Sequence, residues 1–97
     1  AINDPTALGV EEAARQAGRK EFFIVGVDGA PKVKARLHDA DSLIEATVTQ
    51  LPDVMAQRAI ETGFALMRGK TVSNRIVLIP PELLTRENPP EVTDWGQ

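Results

Sequence analysis

The chain has 97 residues, of which 42% are apolar and 26% are charged, so it can form at most one small domain of ordinary globular composition. The net charge is -3 and the 11 basic residues are scattered along the chain, which argues against nucleic acid as a partner. The absence of cysteine excludes disulfides and thiolate metal sites, and no apolar run approaches the roughly 20 residues of a membrane-spanning helix.

The first predicted elements are the end of a strand and a helix. Residues 1–2 are apolar and read as the last residues of a strand. Asp4 is predicted as the N-cap of a helix over residues 5–17, because a short polar cap followed by proline is a typical helix start. Gly18 stands where a left-handed C-terminal cap is expected. Gly9 inside this helix costs about 1 kcal/mol relative to alanine, so we expect close packing against a sheet there.

Two strands and a short helix are predicted next. The continuous apolar run at residues 22–27 is typical of a parallel strand covered on both faces. A turn follows, and Pro31 starts a short polar helix over residues 31–37. Residues 44–49 are rich in β-branched side chains and predict a second strand.

The longest predicted helix lies in the second half of the chain. Pro52 opens it, it runs to about Arg68, and Gly69 is its cap. Apolar or small residues recur at helical spacing along it, which predicts a stripe facing a core. We expect four residues to form this buried stripe: Met55, Ala59, Gly63 and Leu66.

The rest of the chain completes an alternation of strands and helices. Residues 75–79 predict a strand that is broken by Pro80-Pro81, and residues 82–85 predict a second extended segment. Residues 88–97 form a Pro-containing tail without its own core. The order β-α-β-α-β-α-β indicates an α/β fold, with a Rossmann-like parallel sheet and flanking helices.

A polar residue follows three of the apolar segments, at the point where each should stop. Asn3 follows residues 1–2, Asp28 follows residues 22–27, and Gln50 follows residues 44–49. In an open parallel sheet, ligands bind in the crevice outside the carboxyl ends of the strands. Two amides and a carboxylate there suit a neutral ligand rich in hydroxyl groups. Each residue also has a plainer interpretation, as a helix entry, an Asp-Gly turn and a solvated strand end.

Other polar groups do not form a catalytic pattern. Asp28 with Glu45 is a weak candidate for a glycosidase pair, because Glu45 lies on the strand face that its neighbours assign to solvent. Five more polar residues are interpreted as solvated: Glu11, Glu12, His38, Asp39 and Asp41. No dinucleotide fingerprint, P-loop, nucleophile elbow or metal-spaced cluster is present. We therefore predict no catalytic residues, no cofactor and no metal, so a flavodoxin-like or dehydrogenase enzyme is disfavoured.

Four stretches of the chain carry a resemblance to a known family. They are NDPTALG at residues 3–9, VGVDGAP at 25–31, EATVTQLP at 45–52, and residues 77–88. In their order and spacing they resemble the C-terminal part of the type I periplasmic sugar-binding proteins, the ribose/galactose-like receptors of ABC importers. The resemblance covers nearly the whole chain apart from its end.

The resemblance implies a division of the chain and a role for three residues. It implies that Asn3, Asp28 and Gln50 hydrogen-bond sugar hydroxyls and that the chain crosses between two lobes just after Gln50. Residues 1–50 would then belong to the C-terminal lobe, and residues 51–87 would form the hinge crossing and a helix and strand returning to the N-terminal lobe. Residues 88–97 are the tail.

The resemblance also implies partners and a compartment. The ligand would be a monosaccharide or polyol, held between two lobes for import, and the receiving partner an ABC permease. The location would be the periplasm, or outside the cytoplasm and membrane-associated in a Gram-positive host. The N-terminal part of such a protein is missing here, so we expect exposed apolar surface and self-association.

The effector-binding part of a lactose-repressor-type regulator is the alternative. Such repressors share the same ligand core. In this chain, residues 18–22 and 43–48 look more like the transport receptors, and no basic helix-turn-helix is present. The two interpretations differ in the polypeptide that would precede residue 1.

Overall fold

In the computed structural model of the protein, residues 1–92 are described and six elements lie within them. They are α1 (Asp4–Gln16), β1 (Ile24–Asp28), α2 (Pro31–Leu37), β2 (Ile44–Thr49), α3 (Pro52–Met67) and β3 (Leu83–Thr85). The predicted bounds of α2 and β2 are confirmed. β1 begins and ends later than the apolar run that predicted it, and residues 1–2 are not part of a strand.

The start of α1 differs from the prediction. The N-cap is Asn3, whose backbone is extended and whose side-chain Oδ1 accepts a hydrogen bond from the backbone N–H of Thr6 at 3.0 Å. Asp4 is the first helical residue, and its buried carboxylate accepts hydrogen bonds from Ala30 and Thr47 instead of capping the helix. The cap prediction was therefore wrong by one residue, because both residue types can cap and only their tertiary partners decide between them.

The sheet has three strands in the order β1-β2-β3. β1 and β2 are parallel, with Val27 opposite Val48 and Asp28 opposite Thr49. β3 runs antiparallel to β2, with Leu83 opposite Val48. The α/β fold with a parallel pair and flanking helices is confirmed, and the short third strand closes one edge in the opposite direction.

One face of the sheet holds the core. α1 packs on β1 and α2 packs on β2. The core side chains come from these four elements: Ala7, Ile24, Val33, Leu37 and Ile44. Val25 points to the other face and is exposed, so the prediction that β1 is covered on both faces was wrong. The reason is that, within residues 1–92, both packed helices lie on the same side.

The helix α3 forms where the sequence predicts it, but its apolar stripe is not buried. Met55 is exposed, Leu66 is 57% exposed, and no residue of α3 is buried. The predicted burial was wrong for this chain, because a helix buries a stripe only where another element covers it. Among the described residues, no helix is long and apolar enough to cross a membrane.

The apolar segment after α3 is not a strand. Residues 75–79 have no strand partner in the described part of the chain, and Leu78 is 86% exposed. An extended apolar segment becomes a strand only when a neighbouring backbone satisfies its N–H and C=O groups, so the prediction of a strand there was wrong. The later extended segment is confirmed as β3.

Glycines end two of the helices as expected. Gly18 and Gly69 have positive φ angles of 67° and 74°. The N–H of the residue after each glycine donates to a carbonyl in the last helical turn, that of Ala14 at 2.9 Å and that of Ala65 at 3.0 Å. These are Schellman-type caps, in which a left-handed residue turns the chain off the helix axis.

The predicted tail is described only in its first half. Asn88 forms a bridge with Thr85, and Nε2 of His38 lies 2.6 Å from the carbonyl oxygen of Pro90. Residues 93–97, which include the predicted tail residues Trp95 and Gly96, lie outside the described residues.

Candidate ligand-binding site

Asp28 and Gln50 meet at the carboxyl edge of the two parallel strands. Asp28 is the last residue of β1, and Gln50 comes directly after β2. The side-chain Nε2 of Gln50 donates to Oδ1 of Asp28 at 2.7 Å, and the backbone N–H of Gln50 donates to the carbonyl of Asp28 at 2.8 Å. The parallel register brings these two sequence-predicted residues into direct contact.

The residue next to Asn3 contacts the same edge at the start of α1, whereas the Asn3 side chain has no hydrogen bond to Asp28 or Gln50 among the described residues. The next residue, Asp4, donates its backbone N–H to Oδ2 of Asp28 at 3.3 Å. The Asn3 side chain is half-buried and uses its Oδ1 to cap α1, as its plainer interpretation predicts. Its amide nitrogen is a further donor of the kind that a ligand hydroxyl accepts from.

Asp28 has an uncommon backbone conformation. Its φ is 140°, the one positive φ of a non-glycine residue among residues 1–92. Such a conformation costs on the order of 1–3 kcal/mol and persists only where the surroundings impose it. Gly29 follows with φ 72°, and a Cβ there would lie 3.1 Å from Thr49 Cγ2. The strain is concentrated at the residue predicted to accept hydrogen bonds from a ligand.

The chemistry of this edge suits hydroxyl groups. Each carboxylate oxygen of the half-buried Asp28 accepts one hydrogen bond from the protein, which leaves lone pairs for ligand donors. Gln50 is exposed, so its side-chain carbonyl can accept a hydrogen bond from a ligand hydroxyl and its second amide hydrogen can donate one. Hydrogen bonds to an ionised carboxylate are stronger than those between neutral groups.

The sequence reasoning placed Asp4 at a helix start but did not predict that its carboxylate is buried. Asp4 is 0% exposed; its Oδ2 accepts from the N–H of Ala30 and its Oδ1 from Oγ1 of Thr47, both at 2.7 Å. A Cβ on Gly26 would lie 2.2 Å from Oδ1 of Asp4. A glycine inside a strand often marks a close approach, so Gly26 was the available signal.

The far end of the sheet carries a second polar cluster. Glu11 is 6% exposed, accepts from the hydroxyl of Ser42 and from the N–H of Leu43 at 3.0 Å, and lies 3.2 Å from Nε of Arg36. Its predicted solvation was therefore wrong, because these partners compensate the cost of burying a charge. The other four residues predicted to be solvated are exposed: Glu12, His38, Asp39 and Asp41.

Glu45 is exposed and ion-paired with Arg86 at 3.3 Å, in agreement with the solvent-facing position predicted for it. Within the described residues, no group of three or more His, Asp or Glu side chains is arranged to hold a metal ion. The predictions of no cofactor and no catalytic residue stay predictions.

Known proteins resemble this chain in sequence and in fold. No protein-family model matches it. The ribose import binding protein RbsB of Escherichia coli (strain K12) is 35% identical over 72 residues, which are 74% of this chain and 24% of that protein. An ABC transporter solute-binding protein from Agrobacterium vitis, with bound allitol, superposes with a TM-score of 0.81 and 34% identity over 89% of this chain and 29% of its own. One from Mycobacterium smegmatis, with bound glycerol, gives a TM-score of 0.81 and 30% identity over 91% and 30%.

These comparisons show that the chain is homologous to part of the α/β solute-binding proteins of ABC transporters. More particularly, it is a homologue of their sugar- and polyol-binding members, so the resemblance read from the sequence is confirmed. The chain spans about a quarter of the length of the curated relatives it matches. The named relatives are transport proteins, and nothing in their names or in the described structure favours the repressor alternative.

Proposed function

We propose that this chain supplies part of the ligand cleft of a two-lobed solute-binding protein that captures a monosaccharide or polyol for an ABC permease. The experiments below use a polypeptide in which this chain is joined to the remaining residues of both lobes, and it is called the two-lobed protein. The observation that carries the proposal is the hydrogen bond from Gln50 to Asp28 at the carboxyl edge of the parallel strands. The role is binding and not catalysis, and the location is outside the cytoplasm.

Asp28, Gln50 and Asn3 would bind the ligand hydroxyls. Asp28 accepts, Gln50 both donates and accepts, and the Asn3 amide nitrogen donates. A ligand without the matching hydroxyl leaves a polar group desolvated and unpaired, at a cost of about 1–3 kcal/mol for each group. This cost is the source of selectivity for polyhydroxy compounds over apolar or deoxy analogues.

The exposed surface of α3 supports a division of the chain after Gln50. Residues 1–50 contain the packed part of the described structure, whereas α3 buries none of its residues. The chain then returns to the first part, because β3 pairs with β2. We propose that residues 51–87 include the crossing to a second lobe and that closure of the two lobes traps the ligand.

Calorimetric titration of the two-lobed protein with ribose, allitol and glycerol tests the proposed function. Asp28→Asn removes the charge at nearly constant shape and is expected to weaken binding of the preferred compound by at least about 10-fold. Asp41→Asn is the matched control, since Asp41 is exposed at the far end of the sheet, and it is expected to leave the affinity unchanged. Equal affinity of Asp28→Asn and the unchanged protein would contradict the proposal.

The 97-residue chain alone is expected to bind these compounds weakly or not at all. In this proposal the chain supplies only one side of the cleft, so fewer contacts are available to offset the entropy that the ligand loses on binding. Equilibrium dialysis at millimolar ligand is the measurement. Micromolar affinity of the isolated chain would show that the second lobe contributes little.

A further inference from the structure

One buried side chain connects the segments that carry the candidate ligand-binding residues. The carboxylate of Asp4 accepts from the N–H of Ala30, in the turn after Asp28, and from Oγ1 of Thr47, three residues before Gln50. The backbone N–H of Asp4 donates to Oδ2 of Asp28. Asp4 itself follows Asn3 directly. Three separate parts of the chain therefore meet at one carboxylate.

The position of this carboxylate is fixed by its surroundings. Thr47 is fully buried, and its Oγ1 donates to Asp4 while accepting from the N–H of Gly29 at 3.3 Å. Gly26 leaves the space that Oδ1 of Asp4 occupies, since any Cβ there would overlap it. The N–H of Ala30 therefore donates directly to Asp4, and the N–H of Gly29 is connected to Asp4 through the hydroxyl of Thr47.

Asp28 depends on that segment for its conformation. Its positive φ orients the carboxylate, and the residues immediately after it are those held by Asp4 and Thr47. Residues in sparsely populated backbone conformations are retained where neighbouring contacts over-determine them. Asp4 is 0% exposed and so does not reach a ligand at the sheet edge.

We propose that Asp4 is the positioning residue of this site, acting through the turn after β1 to hold Asp28 in its ligand-accepting orientation. The inference rests on the proposed function, because it concerns how Asp28 binds. Asp4 and the hydroxyl of Thr47 act as one unit, and loss of either lets the backbone at Asp28 relax. The ligand then loses a directed charged acceptor while the other contacts stay in place.

The test measures the affinity of the two-lobed protein for whichever of ribose, allitol and glycerol it binds most tightly. Asp4→Asn is expected to weaken binding by about 10-fold or more. When Asp28→Asn is already present, adding Asp4→Asn is expected to change the affinity by less than about 2-fold, because coupled residues are not additive. Additive losses in this cycle would overturn the inference.

A stability effect is separated from positioning by two comparisons. Leu37→Ala opens the core at the far end of α2 and is expected to lower the melting temperature without changing the dissociation constant. Thr47→Val removes the hydroxyl and is expected to weaken binding as Asp4→Asn does, whereas Thr47→Ser keeps the hydroxyl and the affinity. If Asp4→Asn does not fold, the Thr47 pair alone decides, and equal affinities of Thr47→Val and Thr47→Ser refute positioning.

The outcome for Asp28 distinguishes the two proposals. If Asp28→Asn weakens binding and Asp4→Asn and Thr47→Val do not, only the positioning role of Asp4 is wrong. If Asp28→Asn leaves the affinity unchanged, the proposed function of this edge fails, and the positioning role fails with it.

Discussion

Gln50 and Asp28, 22 residues apart, are joined through both side chains and backbone. Nε2 of Gln50 donates to Oδ1 of Asp28, and the N–H of Gln50 extends the β1–β2 ladder to the carbonyl of Asp28. The residue that leaves the sheet toward α3 is therefore tied to the most strained residue of the site. A change at either residue is transmitted to the other without an intermediate.

Replacing the amide of Gln50 tests this connection directly. Gln50→Glu places a second carboxylate against Asp28, and we expect it to lower the free energy of unfolding of the chain by about 1 kcal/mol in urea. Gln16→Glu is the control, because Nε2 of Gln16 donates to Oε1 of Glu12 at 3.0 Å on the exposed face of α1. That like-charge pair is expected to cost only a few tenths of a kcal/mol. Equal costs for both variants would contradict a special coupling at the sheet edge.

Replacement of glycine by alanine is expected to have opposite effects on stability at Gly26 and Gly9. Gly26→Ala forces a methyl group into Oδ1 of Asp4 and is expected to destabilise the chain by about 1–3 kcal/mol. Gly9→Ala is expected to stabilise it by up to about 1 kcal/mol, since a Cβ at Gly9 meets nothing within 4 Å. The packing reason expected for Gly9 was therefore wrong. Thermal unfolding of the two variants is the measurement, and a loss of stability in Gly9→Ala would contradict the open space around it.

Arg86 holds β3 to the start of β2. Its guanidinium donates to the carbonyls of Ser42 at 2.8 Å and Ile44 at 2.6 Å, and also to that of Asp39. Arg86→Lys cannot reproduce this fork and is expected to cost about 1–3 kcal/mol, with faster amide exchange in β3. Arg15→Lys, in an exposed pair with Glu12, is the control and is expected to cost little. Unchanged exchange in β3 would argue against the anchoring role.

One carboxylate at the surface gives a pH-dependent signal. The hydrogen bond from Nε of Arg19 at 2.6 Å lowers the pKa of Glu21. A lowered folded-state pKa means that the stabilisation is present above the unfolded pKa and is lost as pH falls through the folded value. We expect Arg19→Ala to raise the pKa of Glu21 in an NMR titration, and added salt to reduce the difference. An unchanged Glu21 titration would remove Arg19 as the cause.

The apolar surface of α3 predicts self-association of the isolated chain. Ile60 and Phe64 are exposed and lie one helical turn apart on the same face. We expect sedimentation to show a concentration-dependent increase in mass and Phe64→Glu to reduce it. Glu61→Gln, on the same helix, is the control and is expected to leave the concentration-dependent increase in mass unchanged. A monomer at all concentrations would contradict the prediction.

The sequence reasoning succeeded where local signals are strong. Pro31 and the β-branched residues of β2 sufficed for the bounds of α2 and β2, and strand ends sufficed to bring Asp28 and Gln50 together. It failed where distant partners decide. The burial of Asp4 depends on Thr47, 43 residues away, and that of Glu11 on Ser42, 31 residues away. Polar groups are read as solvated until such partners are known.

The predictions for the segments after Gln50 failed for a related reason. The stripe on α3 and the apolar residues 75–79 have the composition of buried elements, but no described element covers them. Hydrophobic pattern records what a segment is able to bury, and burial itself requires a second surface. The pattern at Leu66 or Leu78 was therefore correct as a tendency and wrong as a description of residues 1–92.

The backbone at Asp28 restricts which side chains can stand at this position without strain. A φ of 140° lies outside the left-handed region that asparagine and aspartate adopt most readily, so any residue other than glycine is strained there, β-branched and aromatic residues most of all. Under the proposed function, evolutionary change at this position exchanges the negative charge for relief of backbone strain, since glycine is the residue that removes both. Under the same proposal, adaptation to new nutrients comes mainly from other residues around the cleft.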